Sequence, residues 1–315
     1  MLRTTITAAV LGLAAVPTGA FALDSPAPLV LPARLVPAAQ EPGEKATEWP
    51  EPRDMADLKK SVAKIRAARS DDMESAGRSE IQLEGAAAAP LILRAIAKER
   101  KDDALLRLRS ALALVTTKEH TRLLAESLDD RSQELRVCVM RRLSSLGDPG
   151  LRERVETLYK DIKEKAADPK KAKKLHEDEF DRAAILTMSV GSAEGLDHCL
   201  EIAGSKGWPA WRETMREAAA RAKDAGTVVA EGLQSTLAPS ATPSINLRVA
   251  ALRLIAYAGT EAHARSVLPS LDDTANHVKV AAVNALRMMV DGDKPLDKLS
   301  TFDAIERATK WKARL

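Results

Sequence analysis

Aromatic residues are scarce in this chain of 315 residues. Phe, Trp and Tyr together make up 3% of the sequence, although hydrophobic residues make up 45%. Alanine and leucine therefore fill most apolar positions, which suits thin helices that pack closely against one another. The composition disfavours β-rich architectures and indicates an all-α protein.

Cysteines are also few, and their positions argue against a disulfide. Cys138 and Cys199 both fall inside apolar helical stripes, on helices separated by a whole repeat. A disulfide needs Cα atoms within about 7 Å of each other, which helices from separate repeats rarely provide. Two buried thiols that behave as small hydrophobes are favoured over a bonded pair.

Long apolar runs are missing beyond the first residues, so the sequence offers no membrane-spanning helix. The N-terminus itself has a base (Arg3), a short apolar core (6–16) and small residues at 20 and 22, as in a signal peptide. We predict a signal peptide at 1–22, cleaved after Ala22, and an exported protein, periplasmic or extracellular, without membrane insertion after cleavage. An uncleaved anchor is the alternative.

The segment that follows, residues 23–54, is rich in proline and predicts an extended, disordered linker. Proline fixes φ and removes a hydrogen-bond donor, so neither a helix nor a central strand forms at this density. A tether to a membrane or partner and a disordered terminus without a role remain equally open. The prolines are Pro26, Pro28, Pro32, Pro37, Pro42, Pro50 and Pro52.

Motifs that carry catalysis or hold a metal are absent from the sequence. It contains no HExxH, GxSxG, P-loop or dinucleotide fingerprint, and no histidines at metal-ligand spacing. We therefore predict a non-enzymatic protein without cofactor or metal, whose histidines lie singly on the surface. These histidines are His120, His176, His198, His263 and His277.

The main positive feature of the sequence is an internal repeat. Residues 128–148 and 271–293 both open with Leu-Asp-Asp, continue to an apolar residue, a base and a valine, and end near a glycine and an aspartate. A base marks each of seven units, at intervals of 29, 29, 46, 34, 32 and 31 residues. The bases are Arg78, Arg107, Arg136, Arg182, Arg216, Arg248 and Lys279.

Each unit predicts a helix, a short turn and a second helix. The long interval coincides with the charged segment 161–179, which we interpret as an extended second helix followed by an inserted loop. An amphipathic helix near Met55 is expected to cap the array, since Leu58, Val62 and Ile65 share one face. Recurring Asp pairs, such as Asp129-Asp130, are expected to cap the helix starts.

The pattern Leu-Arg-Val followed by Leu-x-x-Leu-Gly-Asp-Pro in residues 135–149 resembles the HEAT-like repeats of armadillo-type α-solenoids, in particular the short bacterial variety. The resemblance covers about residues 70–299. It implies a right-handed α-solenoid of six or seven repeats within residues 55–315, whose second helices line the concave side and contact partners. It carries no catalytic residues.

Another protein is the predicted partner, bound by bases on the second helices of the first three units. Nucleic acid is disfavoured because acids interrupt the bases, aromatics for base stacking are scarce, and export removes the chain from the chromosome. The sequence does not specify an oligomeric state. The candidate binding residues are Arg94, Lys98, Arg122, Arg152, Arg154 and Lys160.

A lyase-like or chromophore-handling protein is the alternative function, because some HEAT-like proteins handle tetrapyrroles. It requires a reactive cysteine or a tight apolar pocket.

Overall fold

The computed structural model describes residues 46–238, 244–296 and 298–315. Residues 1–45, which include the predicted signal peptide and most of the predicted linker, lie outside the described residues. Within the described ranges the protein is all-helical and has no strand.

First and second helices alternate along the chain, as the repeat predicts. Each base that marks a unit lies in a first helix. Those first helices are α2, α4, α6, α9, α11, α13 and α15. The α-helices are α1 (Met55–Ala67), α2 (Asp71–Glu84), α3 (Ala89–Lys98), α4 (Asp102–Val115), α5 (Thr121–Ala125), α6 (Gln133–Leu146), α7 (Arg152–Ala167), α8 (Pro169–Ala172), α9 (Glu179–Ser189), α10 (Leu196–Gly204), α11 (Trp208–Asp224), α12 (Val228–Leu237), α13 (Ile245–Ala258), α14 (Ala264–Val267), α15 (Asn276–Leu286) and α16 (Thr301–Arg314).

Several second helices are short because 3-10 turns replace part of them. The second helix after α13, for example, consists of a 3-10 turn at Glu261–His263, then α14, then a 3-10 turn at Leu268–Asp272. The first helix α15, by contrast, is extended by a π-helical turn at Arg287–Asp291.

An aliphatic core runs through the helix pairs. Leu143, Leu254 and Leu286 are buried in the first helices, with alanines beside them. From α6 onward each first helix contacts the next one, through α9, α11 and α13 to α15. In addition, α6 contacts α11 past α9. The row of first helices therefore curves tightly at this point, which brings α6 and α11 together.

The amphipathic first helix is confirmed. Helix α1 begins at Met55 and buries Leu58, Val62 and Ile65. Asp54 precedes it and accepts hydrogen bonds from the first exposed amides of the helix. The predicted periodicity and the start of this helix therefore agree with the structure.

The residues before α1 pack on the helical body, although they belong to the predicted linker. The amide of Ala46 donates to the carbonyl of Glu119 at 3.0 Å. The Trp49 ring stacks on the His120 imidazole, with ring centroids 5.5 Å apart. Tryptophan favours such contacts because it buries a large apolar area. The folded body accordingly includes residues 46–54.

The charged insertion has the predicted form. Helix α7 continues to Ala167 as a long second helix, and Pro169 then opens the short α8. An irregular stretch, residues 173–178, leads to α9. The insertion thus lengthens one unit without interrupting the contact of α6 with α9.

The prediction that Asp pairs cap the helix starts is confirmed only in part: Asp130 and Asp273 accept the amide hydrogens of Ser132 and Ala275, just before α6 and α15, at 2.7 Å and 2.9 Å. Ser70, Ser132, Ser244 and Ser300 occupy the N-cap positions of α2, α6, α13 and α16, and each hydroxyl accepts an amide hydrogen bond. The Asp pairs of α2 and α4 lie within the first turn instead. There their charge interacts with the positive end of the helix dipole without capping an amide.

The Gly-Asp-Pro turn after α6 has the predicted role. Gly147 adopts a left-handed conformation with φ of 60°, and its amide donates to the carbonyl of Leu143. Asp148 is buried and accepts a hydrogen bond from the amide of Gly150 at 3.0 Å. Glycine is required because a side chain would strain this backbone conformation.

Candidate functional site

Two neighbouring clefts lie among the first helices. One cleft of about 250 Å³ lies between α4, α6 and α11. A wider, more open cleft lies between residues 116–118, α6, α11 and Tyr257 of α13. Arg142, Ser145 and Glu217 line both clefts, so the two form one continuous depression. We call this depression the inner groove.

First helices, rather than second helices, form the walls of the inner groove. Its lining residues all lie in α4, α6, α11, α13 or the turn after α4. The resemblance to HEAT-like repeats instead implies a partner surface on the second helices. The difference follows from the contact of α6 with α11, which gathers the first helices around one hollow.

Two arginines in the groove wall hold neighbouring helix ends together. Arg142 donates from Nη2 to the carbonyl of Ala113 at 3.0 Å and from Nε to the hydroxyl of Thr116 at 2.9 Å. Arg221 donates from Nε to the carbonyl of Ser145 at 2.9 Å. Cations are favourable at the C-terminal ends of helices, where carbonyls lack helical partners. Both side chains therefore position α4, α6 and α11 while adding positive charge.

The other bases in the groove differ in whether they form ion pairs. Arg141 is exposed and forms no ion pair with any described residue. Arg109 contacts Glu134, with 3.4 Å between Nη2 and Oε2. Arg216 pairs with Glu213 at 3.3 Å. The acidic lining residues are Glu213 and Glu217; the basic ones are Arg109, Lys118, Arg141, Arg142, Arg216 and Arg221. The groove is therefore positively charged.

None of the candidate binding residues from the sequence lines the inner groove. Arg94, Lys98 and Arg122 are exposed and form no ion pair among the described residues. The remaining three are engaged within the molecule, which reduces their availability to a partner. Arg152 approaches the carbonyl of Val190 at 3.5 Å, Arg154 pairs with Asp129 at 2.9 Å, and Lys160 pairs with Glu194 at 3.6 Å.

The two cysteines are unpaired and buried, as predicted. Burial raises the pKa of the Cys138 thiol to about 11, although Arg109 and Arg141 act in the opposite direction. Burial also raises the pKa of the Cys199 thiol. A reactive cysteine is a thiolate that solvent can reach, so neither residue is suited to nucleophilic chemistry.

The prediction of surface histidines is wrong for two of them. His120 and His263 are buried, and the Nδ1 atom of each accepts the amide hydrogen of a threonine three residues earlier, at 3.1 Å. Each imidazole thereby completes a capping box at a short helix. The spacing between histidines in the sequence does not distinguish such a buried histidine from one on the surface.

His198 is held between two carboxylates. Its Nε2 lies 2.7 Å from Asp181, its Nδ1 lies 3.0 Å from Glu201, and the Phe180 ring stacks on it. Burial opposes protonation, but the hydrogen bonds to Asp181 and Glu201 outweigh it and raise the pKa of His198. Three or more His, Cys, Asp or Glu side chains do not meet at a metal-sized site anywhere in the described ranges.

Comparison with protein-family models, with curated proteins and with solved structures gives no match for this chain. The resemblance to HEAT-like repeats therefore stays a prediction from the residues. None of the helices formed by the described residues has the length and apolarity needed to cross a membrane.

Proposed function

We propose that this protein is a non-enzymatic binding module, an exported right-handed α-solenoid whose inner groove binds an extended acidic segment of another protein. The observation that carries the proposal is the continuous, positively charged groove along α4, α6, α11 and α13. Stacked helix pairs create long surfaces of this kind without forming a closed pocket.

The charge of the groove specifies the chemistry of the partner. Arginine and lysine outnumber the acids in its lining, and Arg142 and Arg221 add positive charge while they hold the helix ends. An acidic segment complements this field, which speeds encounter and selects against basic partners. Leu106, whose side chain is exposed beside Arg109, adds an apolar contact at the same wall.

A binding assay with a defined acidic polypeptide tests the proposal. Fluorescence anisotropy is measured with labelled polyglutamate, at about 0.15 M salt, where distant surface charges are screened. We expect Lys118→Glu combined with Arg216→Glu to weaken binding at least about tenfold, because both residues face the groove. Polylysine is expected not to bind.

A matched double variant controls for the loss of total charge. Lys59→Glu combined with Arg265→Glu makes the same change at exposed sites on α1 and α14, outside the groove. This variant is expected to bind within about threefold of the parent. An equal loss of affinity in both double variants would show that net charge, rather than the inner groove, drives binding.

A further inference from the structure

The bases that mark the repeats have a shared structural role in two units. Arg136 forms a bidentate ion pair with Glu179, at 2.6 Å from Nε and 2.9 Å from Nη2. Arg248 pairs with Asp273, at 2.8 Å between Nε and Oδ2. In both cases the carboxylate comes from the start of the next unit. The repeat thus places an arginine and an acid together at two of the unit boundaries.

Arg182 occupies the same repeat position but lacks this acid. The start of the next unit, residues 204–211, contains no Asp or Glu, and the Trp211 ring covers the guanidinium at 4.3 Å instead. Asp178 lies 3.9 Å from Nη2, which exceeds hydrogen-bond distance. The Nε and Nη1 atoms of Arg182 are buried and have no hydrogen-bond partner among the described residues.

Positive charge accumulates around this position. Arg182 is largely buried, with 11% of its side chain exposed. Burial, together with the charges of nearby Arg141 and Arg109, lowers the pKa of the Arg182 guanidinium to about 10, although Asp178 and Asp181 act in the opposite direction. The Nε atom of Arg109 is also buried without a partner. Guanidinium groups that repel one another inside a protein destabilise it unless an anion compensates their charge.

The cleft beside these arginines is open to solvent and suitable in size for a small anion. Arg109 and Arg141 line it, together with the hydroxyl groups of Ser110 and Thr214. Arg182 is not part of its wall and acts through its charge. The carboxylates that line the cleft belong to Glu213 and Glu217 of α11. Glu213 pairs with Arg212 and Arg216.

We propose that the cleft between α4, α6 and α11 binds an oxyanion, a carboxylate or phosphate group, through Arg141 and Arg109, with Arg182 supplying buried positive charge behind it. The planar guanidinium presents parallel N–H groups that match two oxygens of such a group. This inference goes beyond the proposed function, because a free small anion suffices to occupy the cleft. An acidic side chain of a bound polypeptide would supply the same chemistry.

Thermal unfolding of the full chain tests the site. The melting temperature is measured in inorganic phosphate, in citrate and in hexaglutamate, each against sodium chloride at the same ionic strength. At about 100 times the dissociation constant, a bound anion is expected to raise the melting temperature by roughly 5 °C. A rise with phosphate or citrate indicates a free anion as ligand, and a rise with hexaglutamate alone indicates a polypeptide side chain.

Three variants assign the effect to these arginines. Arg141→Gln and Arg182→Met are expected to lose the rise, whereas Arg265→Gln, on exposed surface of α14, is expected to retain it. Arg182→Met is also expected to melt no lower than the parent without anion, because it removes a largely buried guanidinium whose Nε and Nη1 atoms have no hydrogen-bond partner among the described residues. Two results would overturn the proposal: no rise beyond that in chloride, or the same rise in the parent and all three variants.

Discussion

Replacing Arg136 with methionine is expected to lower the free energy of unfolding by about 3–5 kcal/mol. The side chain of Glu179 is 1% exposed and that of Arg136 is 15% exposed, so the ion pair lies inside the protein. Arg136 also donates to the carbonyl of Asp130 at 2.8 Å, which ties the preceding turn to the pair. Methionine keeps most of the volume but leaves the carboxylate of Glu179 buried without its cation.

Urea unfolding monitored by far-UV circular dichroism measures this effect, with Arg154→Met as the matched control. Arg154 also pairs with an aspartate at 2.9 Å, but the two side chains are 42% and 77% exposed. Exposed pairs of this kind contribute about 0–1 kcal/mol. Similar losses in the two variants would show that the Arg136–Glu179 pair does not join α6 to α9 as described.

Replacing Gly147 with alanine is expected to cost about 2–5 kcal/mol. Its left-handed φ of 60° strains any residue with a side chain, at about 1–2 kcal/mol. A Cβ atom at this position would also lie 2.5 Å from Cβ of Arg221. Overpacking of this kind adds about 1–3 kcal/mol and forces α6 and α11 apart. Since Arg221 lies in the groove wall, polyglutamate binding is expected to weaken as well.

Gly292→Ala separates the two causes. Gly292 also has a left-handed φ, of 70°, but a Cβ atom there would meet nothing within 4 Å. Its substitution is expected to cost about 1–2 kcal/mol from backbone strain alone, without an effect on the groove. Equal costs at the two glycines, measured by urea unfolding, would contradict the close approach of α11 to the turn after α6.

The sequence predicted the helical class and the alternation of helices because both depend on local patterns. Apolar periodicity placed α1 at Met55, and the glycine-containing turn after α6 followed from its residues. The insertion was also visible, since proline and charge interrupt an apolar stripe at residues 161–179. These signals require no knowledge of which helices meet in space.

The candidate site could not be predicted in the same way. The groove exists because α6 contacts α11 past α9, a contact between residues more than 60 positions apart that no local pattern specifies. Arg109, Arg141 and Arg216 lie on first helices and resemble the other bases of these helices in sequence. One signal was available: the acid that pairs with Arg136 and Arg248 has no counterpart in residues 204–211.

The histidines show a second limit of sequence reasoning. Each buried histidine follows a threonine by three residues, and its side chain accepts the threonine amide in a capping box. Capping boxes usually place Glu or Gln at this position, so the usual signature did not identify them. Spacing to a threonine, rather than to other histidines, was the informative feature.

Site-specific photo-cross-linking to polyglutamate tests the central claim most directly, that the inner groove is the binding surface. A photoreactive phenylalanine analogue replaces Leu106, which lines the groove with 58% exposure, or Leu83, which is 74% exposed on α2 and lies outside it. If polyglutamate binds in the inner groove, the covalent adduct is expected to be at least several-fold more abundant from position 106 than from position 83. Equal yields at the two positions would contradict it.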